Sequence, residues 1–242
     1  MRRTSRVVMA VAVLTCLFES PNAAAECMPI PTGMISLWPG DLDARDVQGG
    51  NDGVFVNGAI AGVPGQVGGA FSFDGGIADQ VEVASNPVFD LTNALTMEAW
   101  INLTELQWDQ KILSYYQPYE MGIFNDKLEL DLQVGGNHRE VPGGTVLQTD
   151  TWYHVVTTWD GDTIKSYVNG ALDRFIASSE PLPAGTLDFR IGRSSNGDAS
   201  FGGLIDEAAL YDRALTAGEV QAHYQSGLLH QGFCLFIDSF ED

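Results

Sequence analysis

Thr151–Gly170, TWYHVVTTWDGDTIKSYVNG, decides the fold class. Trp152 to Trp159 is rich in Trp, Tyr, Val and Thr, the residues that suit a pleated, half-buried surface. Asp160-Gly161 breaks that run, because Gly tolerates the positive φ of a tight hairpin. Ile164 to Val168 reads as the return strand. Asn169-Gly170 is a second and stronger turn, since a type I′ hairpin needs φ > 0 at both central residues. Ala171 to Ala177 follows as a third strand. The stretch predicts an antiparallel meander.

Outward from it, the chain keeps the same texture. Short apolar or alternating runs stand at Ile35–Trp38, Val54–Val56, Ala70–Phe73, Gln80–Val83, Leu95–Leu103, Lys111–Tyr115, Glu120–Phe124, Lys127–Val134, Leu187–Ile191 and Phe201–Tyr211. Gly, Asn, Asp and Pro separate them; the 27 glycines exceed an ordinary share and belong to turns. Many short strands at regular spacing predict an all-β antiparallel sandwich. One helix is expected late. Thr216 can cap it, Glu219 completes a capping box, and Val220, His223 and Tyr224 share a face before Gly227 ends it.

The ends carry other information. Arg2, Arg3 and Arg6 precede an apolar run, Val7 to Phe18, and Ala23-Ala24-Ala25 supplies the small residues of a cleavage site. Residues 1–25 read as a secretory signal peptide, too short to be a membrane span. No other run is long enough to cross a bilayer, so a soluble exported protein is expected. Removing 1–25 takes away three Arg and Glu19 and deepens the formal net charge from −20 to −22. That field repels nucleic acid and anionic membrane and favours cations; an acidic surface also simply keeps an exported protein soluble. The signal peptide removes Cys16 and leaves Cys27 and Cys234 near opposite ends. Export implies an oxidising compartment, so a Cys27–Cys234 disulfide is expected rather than two free thiols. The tail, 228–242, is then stapled to the N-terminus, and its alternation suits an edge strand. Its ending, Phe236-Ile237-Asp238-Ser239-Phe240-Glu241, is similar to endings of exported proteins of some Gram-negative bacteria.

Five segments in order carry a family resemblance. They are Gly68–Gly75 (GGAFSFDG), Leu95–Ile101 (LTMEAWI), the meander with Trp152-Tyr153-His154-Val155 and Tyr167-Val168-Asn169-Gly170, Ile191-Gly192-Arg193 with Phe201–Glu207, and Arg213–Thr216 with Glu219-Val220. Together they resemble the LamG-like jelly-roll family of the concanavalin A-like superfamily, over about residues 33–227. The resemblance implies a sandwich of two curved antiparallel sheets in one domain.

The resemblance also points to a metal. Trp38-Pro39-Gly40-Asp41 and Asp46–Gly53 fall where the family has a Gly- and Asn-rich loop that often holds Ca²⁺. Ca²⁺ takes six to eight oxygens from carboxylates, carbonyls and amides. Asp46, Asn51 and carbonyls near Gly49 and Gly53 could supply several, and the resemblance would bring Asp206 close. Alternatively these residues only build a turn.

A catalytic reading is weaker. In Lys127–Gln133, period two places Glu129, Asp131 and Gln133 on one face and three leucines on the other. The pattern is similar to the Glu-x-Asp-x-Glu strand of laminarinase-like glycosidases, where the last Glu is the acid/base. Gln133 cannot deliver a proton, so no catalytic residue is assigned, and a solvated strand face over a leucine core is expected. His154 reads as a structural histidine; His138, His223 and His230 show no metal-ligand spacing. Aromatics in a loop can stack on sugar rings. Trp108 and Tyr116 are the candidates, with Asn125, Asn137 and Asn196 as polar partners. The expected function is carbohydrate binding first, or a cell-surface protein partner. A glycoside hydrolase or polysaccharide lyase is the runner-up, and a cell-envelope adhesion module the third reading.

Overall fold

The computed structural model describes residues 27–76, 78–134, 137–179 and 181–234, without the side chains of Val134 and Asn137. The expected signal peptide and the strand expected in the last eight residues lie outside the described residues. In chain order the strands are β1 (Met34–Trp38), β2 (Gly53–Val56), β3 (Ile60–Pro64), β4 (Gly69–Asp74), β5 (Gln80–Val83), β6 (Leu95–Leu103), β7 (Asp109–Tyr115), β8 (Tyr119–Phe124), β9 (Lys127–Val134), β10 (Asn137–Val146), β11 (Trp152–Trp159), β12 (Thr163–Val168), β13 (Ala171–Ala177), β14 (Phe189–Ile191) and β15 (Gly202–Tyr211). Helix α1 (Ala217–Leu228) follows.

The strands form two antiparallel sheets. One has the order β13-β12-β11-β6-β15-β4-β3, with β1 paired to the far part of β15. The other has the order β10-β9-β8-β7-β14-β5-β2. The meander is β11-β12-β13. Asn169 and Gly170 adopt φ of 52° and 76°, the primed turn that the dipeptide predicts. At the other turn the Asp160 carboxylate accepts from the Asp162 and Thr163 amides.

Alternation explains the core. On β9, Leu128, Leu130 and Leu132 are fully buried between the sheets, against Phe71, Leu95, Met97, Phe189 and other apolar residues of one large cluster. A second, smaller core lies on the outer side of the β6/β15 sheet. There Val220 of α1 meets Met34, Leu37, Val156, Tyr167 and Tyr211. The Thr216/Glu219 capping box starts α1 as expected, and Arg213 braces Glu219 at 2.6 Å. Cys27 and Cys234 are joined as expected, across 207 residues of sequence.

Two strands were not foreseen. β3 pairs only with β4 and carries an exposed Ile60. β10 contains Pro142-Gly143-Gly144, which reads as a loop; it survives because it is a sheet edge, where Pro is tolerated. Its irregular register after Pro142 is held by Asp173 of β13, whose carboxylate accepts from the Gly144 and Thr145 amides. Helix α1 and the terminal segments cover the outer side of one sheet. The outer side of the β7–β10 half of the other sheet carries a cleft.

Candidate functional site

The cleft occupies about 260 Å³ along β7, β8 and β9, closed on one side by the loop after β14. Strand register builds its floor. One row across the sheet runs Glu82, Arg190, Ser114, Glu120, Asp131, Glu140, each a Cα partner of the next. The neighbouring row runs Lys111, Gly122, Glu129. Because strand neighbours at one level share a face, these polar side chains converge on one surface. Gly122 lets the Gln110 backbone and the Lys111 side chain pack directly over the middle of the second row: a Cβ there would stand 2.3 Å from the Gln110 carbonyl oxygen and 2.9 Å from Lys111 Cδ.

Glu120 and Glu129 are both buried on this floor. Glu120 accepts from the hydroxyls of Ser114 and Ser194. Ser195 adds two bonds to Ser114, so the loop after β14 is pinned to the sheet. Burial pushes the Glu120 carboxyl up, against the two serine hydrogen bonds that favour its charge. Glu129 is 3% exposed, and its Oε1 has no hydrogen-bond partner among the described residues. Burial raises its pKa to about 7, opposed by the Lys111 ammonium 3.9 Å from Oε2 and assisted by the charges of Glu140, Asp131 and Asp109. Burial works against the Lys111 charge too, but a 2.5 Å ion pair with Asp109 and the charges of Asp109, Glu120 and Glu129 outweigh it and raise its pKa.

The sequence expectation for Glu129 is corrected here. Its face is outward as period two requires, but the side chain is sunk among Lys111 and neighbouring carboxylates rather than solvated. Gln133 does not line the cleft itself but an adjoining depression that shares Tyr116, Glu120, Asp131 and His138 with it.

Of the expected ligand residues, Tyr116 and Asn196 line the cleft, and Trp108 and Asn125 lie outside its lining beside Phe124. Trp108, 68% exposed, packs edge-on against Phe124, a cleft residue, with ring centroids 5.0 Å apart. Asn125, exposed in the β8–β9 turn with φ of 49°, gives its amide to the Trp108 carbonyl. Tyr116 lines the other end beside His138, which lies 3.2 Å from Asp131. Asn196 lines the loop side. The Asn137 side chain lies outside the described part of the structure. What the sequence did not single out is Lys111, Glu120, Glu140 and the serines; each is unremarkable alone, and only strand register assembles them.

The expected metal residues separate into two places. Asp46 is the hub of its own loop: Oδ1 accepts from the Leu37, Gln48 and Gly49 amides, and Oδ2 from the Asn51 amide and side chain. Gly49 is needed there, since a Cβ would meet the Ile35 carbonyl. Gly53 donates its amide to Ala44. Asp206 sits elsewhere, at a bulge where β15 changes partner from β4 to β1. It is fully buried, accepts from the Val67 amide through Oδ2, and leaves Oδ1 without a partner among the described residues. Burial pushes its pKa to about 8; the Val67 amide opposes this and the Asp41 charge adds to it. Glu207 beside it has φ of 51° and is also held well above the usual carboxylate range, by burial and by the charges of Asp206, Asp41 and Glu98. Among the described residues Asp46 and Asp206 share no hydrogen-bond partner. Among the described residues no three His, Cys, Asp or Glu side chains converge in a metal-holding group.

A family model described as the concanavalin A-like lectin/glucanases superfamily matches residues 74–221, more than half of the chain. The pentraxin-related protein PTX3 of Mus musculus is 27% identical over 140 residues, 51% of this chain and 36% of that protein; the chain thus spans about a third of that relative's length. Among solved structures, domain 4 of AbnA, a GH43 extracellular arabinanase from Geobacillus stearothermophilus in complex with arabinotriose, superposes with a TM-score of 0.63 at 18% identity, covering 81% of this chain and 98% of that one. The binding domain of Paraclostridial Mosquitocidal Protein 1 superposes with a TM-score of 0.67 at 12% identity, covering 80% and 52%.

Proposed function

Because the chain belongs to the concanavalin A-like lectin/glucanases superfamily, we propose that it is a carbohydrate-binding module whose ligand lies in the β7–β9 cleft. One observation carries the reading. An exposed Trp108 packs edge-on against Phe124, itself a lining residue of a groove rich in hydrogen-bonding side chains. That arrangement offers an apolar ring face for a sugar and polar groups for its hydroxyls. The likeness to an arabinanase domain described with arabinotriose supports the same reading at the level of fold. The disulfide is compatible with the export that the N-terminal segment suggests.

The test is a glycan array probed with the wild type and with Trp108→Ala. Retention of a defined set of glycans by the wild type, lost in the variant, supports the reading. A blank array together with capture of an envelope protein replaces it with the adhesion reading.

The glucanase alternative has its own specific observation, a Glu129 carboxyl whose pKa of about 7 suits a general acid. Against it, the third position of the motif is Gln133, which lies off the cleft. Reducing-sugar release from a glucan, abolished in Glu129→Gln, would establish the enzyme.

A structural Ca²⁺ remains part of the proposal, at one of the two places only. Asp46 already accepts five N–H groups and has no free capacity. The unpartnered Oδ1 of Asp206, with Asp41 nearby, fits a hard cation completed by backbone carbonyls.

A further inference from the structure

The cleft is short of hydrogen-bond donors. Six carboxylates line it (Asp109, Glu120, Glu129, Asp131, Glu140 and Asp198), against one lysine. Lys111 is already engaged, at 2.5 Å from Asp109 and 3.9 Å from Glu129. His138 is engaged with Asp131. Asn196 uses its amide group on Asp198, and the Ser194 hydroxyl is directed to Glu120. A neutral sugar brings hydroxyls that both give and accept, and here the lining is dominated by carboxyl groups, whose oxygens only accept when ionised. An anionic sugar would face like charge in a partly desolvated site. The orphaned Oε1 of Glu129 is an acceptor taken out of water with nothing to accept from, and such a group is costly unless a ligand satisfies it.

Resting on the carbohydrate-binding reading, we propose that the cleft takes an amine-bearing carbohydrate, whose ammonium group donates to Glu129 Oε1 and to Asp131. An ammonium supplies three N–H donors and a positive charge that favours the ionised form of Glu129, whose pKa burial otherwise raises to about 7. Lys111 shows the same chemistry from within, since its own ammonium is stabilised between Asp109 and Glu129. A compact metal ion suits the cleft less well, because among the described residues no three carboxylate or imidazole groups converge on one point. The volume of about 260 Å³ admits one ring and its substituent at a time, close to the lower end, about 300 Å³, of small-molecule sites. The sugar ring then rests toward Phe124 or Tyr116 while the amine reaches the floor at Glu129 and Asp131.

The experiment compares two tetramers by calorimetric titration of the full chain at pH 6.5. One is β-1,4-linked glucosamine, the other its fully N-acetylated counterpart, which keeps the ring and removes the ammonium. The expected result is at least tenfold tighter binding of the amine form, weakened by added salt. That preference should disappear in Glu129→Gln and in Asp131→Asn, and persist in Asp43→Asn, a carboxylate outside the cleft. Two variants are used so that misfolding of one leaves the comparison intact. Equal affinity for both tetramers, or a preference that survives both cleft variants, overturns the amine assignment while leaving sugar binding standing. Binding of neither tetramer, with a blank glycan array, overturns the carbohydrate reading and the amine assignment together. Calcium that displaces the amine tetramer and itself loses affinity in Glu129→Gln also overturns it, in favour of a metal.

Discussion

His223 of α1 and Glu98 of β6 are joined beneath the helix: Nδ1 lies 2.9 Å from Oε1 and 3.0 Å from Oε2. The same carboxylate meets His154 at 2.7 Å and accepts from the Tyr211 hydroxyl at 2.7 Å. Glu98 and His223 are both buried. Burial opposes charge on each, yet the attraction of the two histidines holds Glu98 well below the usual carboxylate range, and Glu98 raises His223. The helix is therefore fastened to the sheet through an ionised cluster as well as through Val220.

The first prediction is a stability plateau in acid. Glu98 has a lowered pKa, so its contribution is present above the ordinary value of 4.5 and is lost as pH falls below it. His223 has a raised pKa, so its contribution is complete below 6.5 and is lost as pH rises through the raised value. The share of stability that this pair contributes, read as the difference between wild type and His223→Gln in denaturant unfolding, should be greatest from about pH 4.5 to 6.5 and decline on both sides. His223→Gln should cost about 3 kcal/mol and flatten the alkaline decline. An unchanged alkaline decline in that variant would refute the assignment.

How much of this was legible in sequence depends on the range of the cause. The meander, the Asn169-Gly170 turn and the α1 capping box are local chemistry and were readable. The disulfide followed from compartment and counting. The cleft was not, because Glu129 is buried beside Lys111, which stands two strands away across Gly122 and is brought there only by strand register. β10 was hidden by Pro142-Gly143-Gly144, which only Asp173 from the other sheet makes tolerable. Asp46 and Asp206 look equivalent as free carboxylates in sequence; hydrogen bonding makes one saturated and leaves the other with an unpartnered oxygen.

The second prediction concerns Gly122. A Cβ would stand 2.3 Å from the Gln110 carbonyl oxygen and 2.9 Å from Lys111 Cδ, so backbone and lysine must both shift. Gly122→Ala should cost about 1–3 kcal/mol, the range for overpacking, and weaken any ligand of the cleft at the same time. Gly218→Ala, in the first turn of α1 with the nearest foreign atom 3.9 Å away, should be neutral or stabilising by up to about 1 kcal/mol. Thermal melts of the two variants should therefore move apart; a shared midpoint would contradict the steric account.

The third prediction is that the clamp of the termini matters. Cys27–Cys234 closes a loop of 207 residues, for which the chain-entropy model gives an upper figure of about 5 kcal/mol. The bond also holds Phe233 against the His223 ring, centroids 5.3 Å apart. Reduction, or the Cys27→Ser/Cys234→Ser pair, should lower the melting midpoint markedly. Equal midpoints with and without reductant would show that the clamp contributes nothing.

The last prediction separates the two halves of the calcium expectation. Without a cation, the Asp206 pKa of about 8 exceeds its ordinary value of 3.8. The folded state then holds a proton that the unfolded chain has released, so stability falls as pH rises from about 4 to about 8. A cation at Oδ1 would replace that proton and remove the slope. At pH 7.5, millimolar Ca²⁺ should raise the wild-type melting midpoint, and EDTA should reverse it. Asp206→Asn should abolish the response and, in EDTA, be as stable as the wild type or more so, because folding no longer has to take up a proton at this position. Asp46→Asn should instead be destabilised in both conditions while keeping its calcium response, since Asp46 organises its loop through amide hydrogen bonds. A calcium response lost in Asp46→Asn and kept in Asp206→Asn would reverse the assignment, and a wild-type midpoint indifferent to both Ca²⁺ and EDTA would remove the ion from this fold.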